Sequence, residues 1–187
     1  MSPNERINVA AFLARSRANG PGERAVVWVQ GCPRPVCPGC WNPAFLDVSR
    51  EATHLTPDAL VSQILAIDGL DGVTFSGGEP FHQAAALAQV AARVREHGLH
   101  VLVFTGYDRA ELDERPDAAA LIDATDILVA GPYRRESPCD EPLRSSTNQV
   151  VHVLRGAPLT LDADVEVTIA PDGGLTITGF PPPDLRL

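Results

Sequence analysis

Apolar residues in this chain come mostly in short unbroken runs, not in long helical stripes. Ala25 to Gln30, Gly72 to Phe75, Leu99 to Phe104 and Asp126 to Val129 are each bounded by glycine, proline or polar residues. Runs of that length and setting predict strands buried on both faces. Between them the apolar spacing changes to that of helices. Thr56 followed by Pro57 supplies a cap and a first-turn proline for a helix to about Ile67, with Leu60, Ile64 and Ile67 on one face. The alanine-rich segment from about Gln83 to His97 predicts the strongest helix, stopped by Gly98. Shorter helices are expected from Asp108 and over residues 117–123. Residues 6–12 predict a first edge strand, and Asn19-Gly-Pro-Gly22 a tight turn.

Strand and helix in alternation predict an α/β fold, a parallel sheet with right-handed crossovers. In such sheets the loops after the strands gather at one carboxyl edge, where ligands bind. After Arg134 the pattern changes. A polar loop reaches Asn148, Val150 to Leu154 predicts a strand, and Val165 to Ala170 with Leu175 to Thr178 predict a hairpin about Pro171-Asp-Gly-Gly174. Pro181 to Pro183 should end regular structure. With 187 residues and no internal repeat, one domain over 1–187 is expected, with a core over 6–154 and an extension over 155–187.

Charge and composition exclude several function classes. The formal net charge is -9, from 24 acidic and 15 basic residues, which opposes nucleic acid and anionic membrane surfaces. Every basic residue other than histidine is arginine. A Schiff-base lysine, a P-loop lysine and a catalytic lysine are therefore excluded. Apolar runs fall short of the ~20 residues of a membrane-spanning helix, and no signal-peptide layout opens the chain, so a cytoplasmic protein is expected. In that compartment clustered cysteines are metal ligands or redox groups, not disulfides.

Cys32, Cys37 and Cys40 stand within nine residues, directly after the strand that ends near Gln30. Three thiolates suit a four-iron cluster that keeps one iron open for a ligand. A zinc knuckle is the alternative, with His54 or Cys139 as fourth ligand, although no second cysteine pair is present. The turn Ser76-Gly-Gly-Glu79 ends the next strand. Its glycines either permit positive φ or let the backbone approach a ligand, with Glu79 or a nearby carbonyl accepting from an ammonium group. His54, His82, His97, His100 and His152 show no paired metal spacing.

In order along the chain stand Asn19-Gly-Pro-Gly-Glu-Arg24, Gln30-Gly-Cys32, Cys37-Pro-Gly-Cys40-Trp-Asn-Pro43, Phe75-Ser-Gly-Gly-Glu-Pro80, Phe104-Thr-Gly-Tyr107, Gly131-Pro-Tyr133 and Asn148-Gln149. Together, over about residues 6–154, they resemble the radical S-adenosylmethionine activating enzymes of the anaerobic ribonucleotide reductase type. The resemblance implies an incomplete TIM-like β/α barrel. It implies a [4Fe-4S] cluster on Cys32, Cys37 and Cys40, whose open iron is chelated by S-adenosylmethionine. Trp41 and Asn42 would lie beside cluster and cofactor, Ser76, Gly77, Gly78 and Glu79 would hold the methionine amino group, and Thr105 and Asn148 would line the same pocket. An electron from flavodoxin or ferredoxin would then yield methionine and a 5'-deoxyadenosyl radical, used to install a glycyl radical on a partner enzyme whose surface closes the site.

Two other outcomes stay open: radical chemistry on a peptide or small molecule, and a zinc-bound, non-catalytic binding module. The chain departs from the resembled pattern at three places. Four residues separate Cys32 from Cys37 where the family has three, Ala130 replaces an acidic residue, and Ser145 replaces a glycine.

Overall fold

A computed structural model describes residues 6–34, 37–156, 165–169 and 173–180. Its centre is a seven-stranded sheet in the order β3-β1-β2-β4-β5-β6-β7. The four inner strands, β2 (Arg24–Val29), β4 (Gly72–Gly77), β5 (His100–Thr105) and β6 (Ile127–Ala130), run parallel in chain order. These are the four unbroken apolar runs. Alternation divides each between two faces. Val27 and Val29, Val73 and Phe75, and Val101 and Val103 point to one side. Leu102, Ile127 and Val129 point to the other, where Leu143 covers them.

The first side carries the helices. In α1 (Pro57–Leu65), Thr56 Oγ1 accepts from the Ala59 amide, and Leu60, Val61 and Ile64 are buried. In α2 (Ala84–Glu96), small residues let the helix lie close to the sheet, and Leu87, Val90 and Val94 fill the gap. The short α3 (Arg109–Asp113) begins with a capping box of Asp108 and Glu111. Helix α4 (Ala119–Asp123) buries Leu121.

The outer strands are antiparallel. β1 (Ile7–Ser16) pairs with β2, and β7 (Val150–Val153) with β6. Two details differ from expectation. β1 runs on to Ser16, and it is not the edge along Ile7–Val9, because β3 (Thr53–Leu55) pairs there. Three residues with no apolar alternation gave no signal for that strand. The C-terminal hairpin forms, with β8 (Val165–Ile169) antiparallel to β9 (Leu175–Gly179). Its expected turn at residues 171–172 and the end of structure at Pro181 to Pro183 lie outside the described residues. No described helix is long and apolar enough to cross a membrane.

Candidate functional site

The cysteine loop leaves the carboxyl end of β2 and is fastened at its base. The amides of Gly31 and Cys32 donate to the carbonyls of Phe45 and Leu46 at 2.8 and 2.9 Å. Gln30 Nε2 donates to the Asp47 carbonyl at 2.9 Å, and Gln83 Nε2 to the Gln30 carbonyl at 3.0 Å. Beyond the base, the Cys40 amide donates to the Cys37 carbonyl at 3.0 Å, closing the turn that brings these two ligand candidates together. All three thiols are half-buried and free of disulfides. Burial pushes the Cys32 and Cys40 thiols up, and the adjoining cysteines push the same way. Soft cations relieve that situation, because a bound metal holds the thiolate form.

Glycines at the end of β4 serve this loop. The Gly78 amide donates to the Val29 carbonyl at 2.8 Å, and the Glu79 amide to the Gly31 carbonyl at 2.9 Å. A Cβ on Gly77 would stand 2.4 Å from the Val29 nitrogen, and one on Gly78 would stand 2.3 Å from the Gly31 oxygen. Gly77 also has φ +110°, which side chains rarely adopt. The close approach that these glycines permit is therefore to the root of the cysteine loop.

Glu79 is fully buried, and its carboxylate is occupied by the protein. It accepts from the Phe81 amide at 3.0 Å, from Thr105 Oγ1 at 2.8 Å and from the Gly106 amide at 2.9 Å. Desolvation raises its pKa above the usual carboxylate range despite these three donors. In this arrangement Glu79 and Thr105 bind each other and tie the ends of β4 and β5.

Trp41, Asn42 and Ser76 meet at a cavity of about 330 Å³ on the face of the sheet opposite the helices. Trp28, Phe45 and Phe104 add apolar wall, and β9 bounds the same space. Trp41 is 39% exposed and packs against Tyr133 with ring centroids 6.1 Å apart. Gly77, Gly78, Glu79, Thr105 and Asn148 are not part of this lining. Asn148 Nδ2 donates to the Pro132 carbonyl at 2.8 Å, whereas its Oδ1 is buried with no hydrogen-bond partner. A buried, unpaired acceptor at the carboxyl edge calls for a donor.

Sequence patterning missed the role of Arg34, which stands in the long gap between the first two cysteines. Its guanidinium lies 4.1 Å from the Tyr107 ring centroid and 3.3 Å from Glu111 Oε1. Arg115 lies against the same ring at 4.7 Å. An aromatic residue after the third parallel strand, facing a cation in the loop, was the available signal.

Among the described residues, no three cysteine, histidine, aspartate or glutamate side chains converge on a single ion position. A single-ion zinc knuckle gains no support from this arrangement. Cluster cysteines bind different irons, so their sulfurs stand apart by more than a mononuclear site allows. Three free thiols on one fastened loop fit that donor set. Cys139 sits in the loop after β6, where its sulfur accepts weakly from the Glu141 amide.

Residues 18–152 match the 4Fe-4S single cluster domain. The anaerobic ribonucleoside-triphosphate reductase-activating protein of Vibrio cholerae is 35% identical over 146 residues, covering 72% of this chain and 90% of that protein. Its counterpart in Escherichia coli K12 is 30% identical over 145 residues, covering 73% and 92%. The pyruvate formate-lyase-activating enzyme of Staphylococcus aureus is 35% identical over 92 residues, covering 46% of this chain and 36% of that enzyme. With the three thiols on one loop and a match that spans most of its length, the chain belongs to the 4Fe-4S single-cluster family of radical S-adenosylmethionine activating enzymes.

Proposed function

We propose that this protein installs a glycyl radical on a partner enzyme, holding a [4Fe-4S] cluster on Cys32, Cys37 and Cys40 and S-adenosylmethionine in the cavity beside Trp41. The carrying observation is the juxtaposition of those thiols, on a loop rooted at β2, with a cavity that begins at the residue after Cys40. When bound, the cluster and cofactor would supply reductive cleavage of a sulfonium carbon-sulfur bond, with one electron from the flavodoxin or ferredoxin, and removal of the glycine α-hydrogen.

The chain's own residues position, bind and shield. The glycine pair keeps the cysteine loop against β4, and Glu79 with Thr105 holds β4 to β5. Trp28, Trp41, Phe45 and Phe104 exclude water from the cavity, which protects a reactive species from side reactions. Ser76 presents a hydroxyl there, and Asn148 Oδ1, outside that lining, is a buried acceptor without a hydrogen-bond partner. The four parallel strands, with helices outside and the cavity inside, suit an incomplete β/α barrel. The proposed unit is one radical domain over the whole chain, its extension beginning near residue 155. The partner is a glycyl radical protein, and the electron donor a flavodoxin or ferredoxin. The place of work is the cytoplasm, where free thiols such as these four stay reduced.

Anaerobic reconstitution followed by dithionite and S-adenosylmethionine tests the proposal. About four irons per chain and formation of 5'-deoxyadenosine are expected. Cys32→Ala, Cys37→Ala and Cys40→Ala should each abolish cluster binding, while Cys139→Ala leaves iron unchanged. Stoichiometric zinc without iron, or iron without 5'-deoxyadenosine, would overturn it. A peptide or small-molecule target remains the competing substrate class, decided by whether a glycyl radical signal appears on a candidate partner.

A further inference from the structure

The C-terminal hairpin lies outside the segment that matches the family, residues 18–152, yet it bounds the cavity. Its cross-strand pairs place Glu166 opposite Thr178 and Thr168 opposite Thr176, so these four share one face. That polar face holds the hairpin to the sheet. Ser16 Oγ donates to Glu166 Oε2, the Arg17 amide donates to Glu166 Oε1 at 2.8 Å, and Asn19 Nδ2 donates to Thr178 Oγ1 at 2.7 Å. One aromatic contact adds to this, Phe180 on Phe104 with centroids 5.6 Å apart. The apolar positions Val167, Ile169 and Leu175 are instead 55%, 72% and 51% exposed. Val165, Ile177 and Phe180 are half-buried, so burial of apolar surface, the main adhesive between protein segments, is only partial in this contact.

The volume is the second observation. About 330 Å³ lies between Ala11, Trp28, Ser76 and Phe104 on the sheet and Thr176 to Gly179 of β9 with Phe180 just after it. That is near the lower end for small-molecule pockets, which span roughly 300–1,000 Å³. With the hairpin docked, the space is about the size of one small molecule.

We propose that the hairpin of β8 and β9 is a displaceable wall of the cavity: docked, it confines the space to a single small molecule, and displaced, it admits a glycine-bearing segment of the partner. The partner half rests on the activase function proposed above. The wall half rests only on the latch of Glu166, Thr178 and Phe180.

The test uses the full apo chain. Native-state hydrogen exchange should show the β9 amides opening at least about 100-fold more readily than those of β4 and β5. Exchange of β9 only with global unfolding would overturn displacement. In a Trp41→Phe background, Trp28 is the sole tryptophan. There Glu166→Gln with Phe180→Ala should raise acrylamide quenching of Trp28 about two-fold or more while far-UV circular dichroism is kept. Unchanged quenching in the folded double variant would overturn the wall. Should the double variant unfold, Thr178→Val, which removes only the acceptor of Asn19, decides in the same way. Both readouts are independent of cluster and cofactor. Failure to form 5'-deoxyadenosine would therefore count against the activase function alone.

Discussion

Glu79 combines full burial with three donors, so its two protonation states differ sharply in what they cost. Desolvation makes the folded chain hold the proton more tightly than the unfolded chain does. The stabilisation from that proton is complete below the unfolded pKa, about 4.3, and is lost as pH rises through the higher folded pKa. Urea midpoints of the wild type should fall across that window, and Glu79→Gln should lack this component. The amide also leaves one of the Phe81, Thr105 or Gly106 donors unpaired, a loss of about 1–3 kcal/mol. A variant of equal stability and equal pH slope would show the carboxylate is not pinned. Arg34 acts differently, as a half-buried cation between Tyr107 and Glu111. Arg34→Ala removes the contact with Tyr107, worth about 0.5–2 kcal/mol, together with the ion pair to Glu111, so thermal stability should fall modestly and iron retained after reconstitution should fall. Undiminished iron would mean that Arg34 does not steady the loop. The cysteines were legible because ligand type and tight spacing are local properties. Glu79 stood out in its glycine turn but its partners did not, since Thr105 and Gly106 arrive from the next strand along the sheet.

Among elements, the parallel strands and both long helices followed from apolar runs, a threonine cap and an alanine-rich stripe. β3 did not, because Thr53–Leu55 is held by register with Ile7–Val9 and not by its own pattern. The hairpin was legible from its glycine turn, yet its docking was not. Its inward face is polar, so hydrophobic patterning points the other way. The junction of β2 and β4 yields a sharp expectation. Gly78→Ala puts a methyl 2.3 Å from the Gly31 oxygen, where only backbone can move aside. The loop root should shift and reconstituted iron should drop several-fold, with the helices intact by circular dichroism. A variant that binds iron as wild type does would show that the junction tolerates the shift.

For the whole molecule, the cysteine loop is part of the sheet's own bonding, through Val29 to Gly78 and Gly31 to Glu79. Opening it requires parting β2 from β4. In an anaerobic urea titration of the cluster-loaded protein, visible absorbance and far-UV circular dichroism should therefore decay in one transition. Absorbance lost first would show that the loop opens alone. The sheet's two outer strands carry a further meaning. β3 has three residues and β7 has four, each already paired on one side. Neither offers a neighbouring chain a long row of free amides and carbonyls, the template on which strands of separate molecules add to one another. Strand addition at β3 and β7 is thereby discouraged.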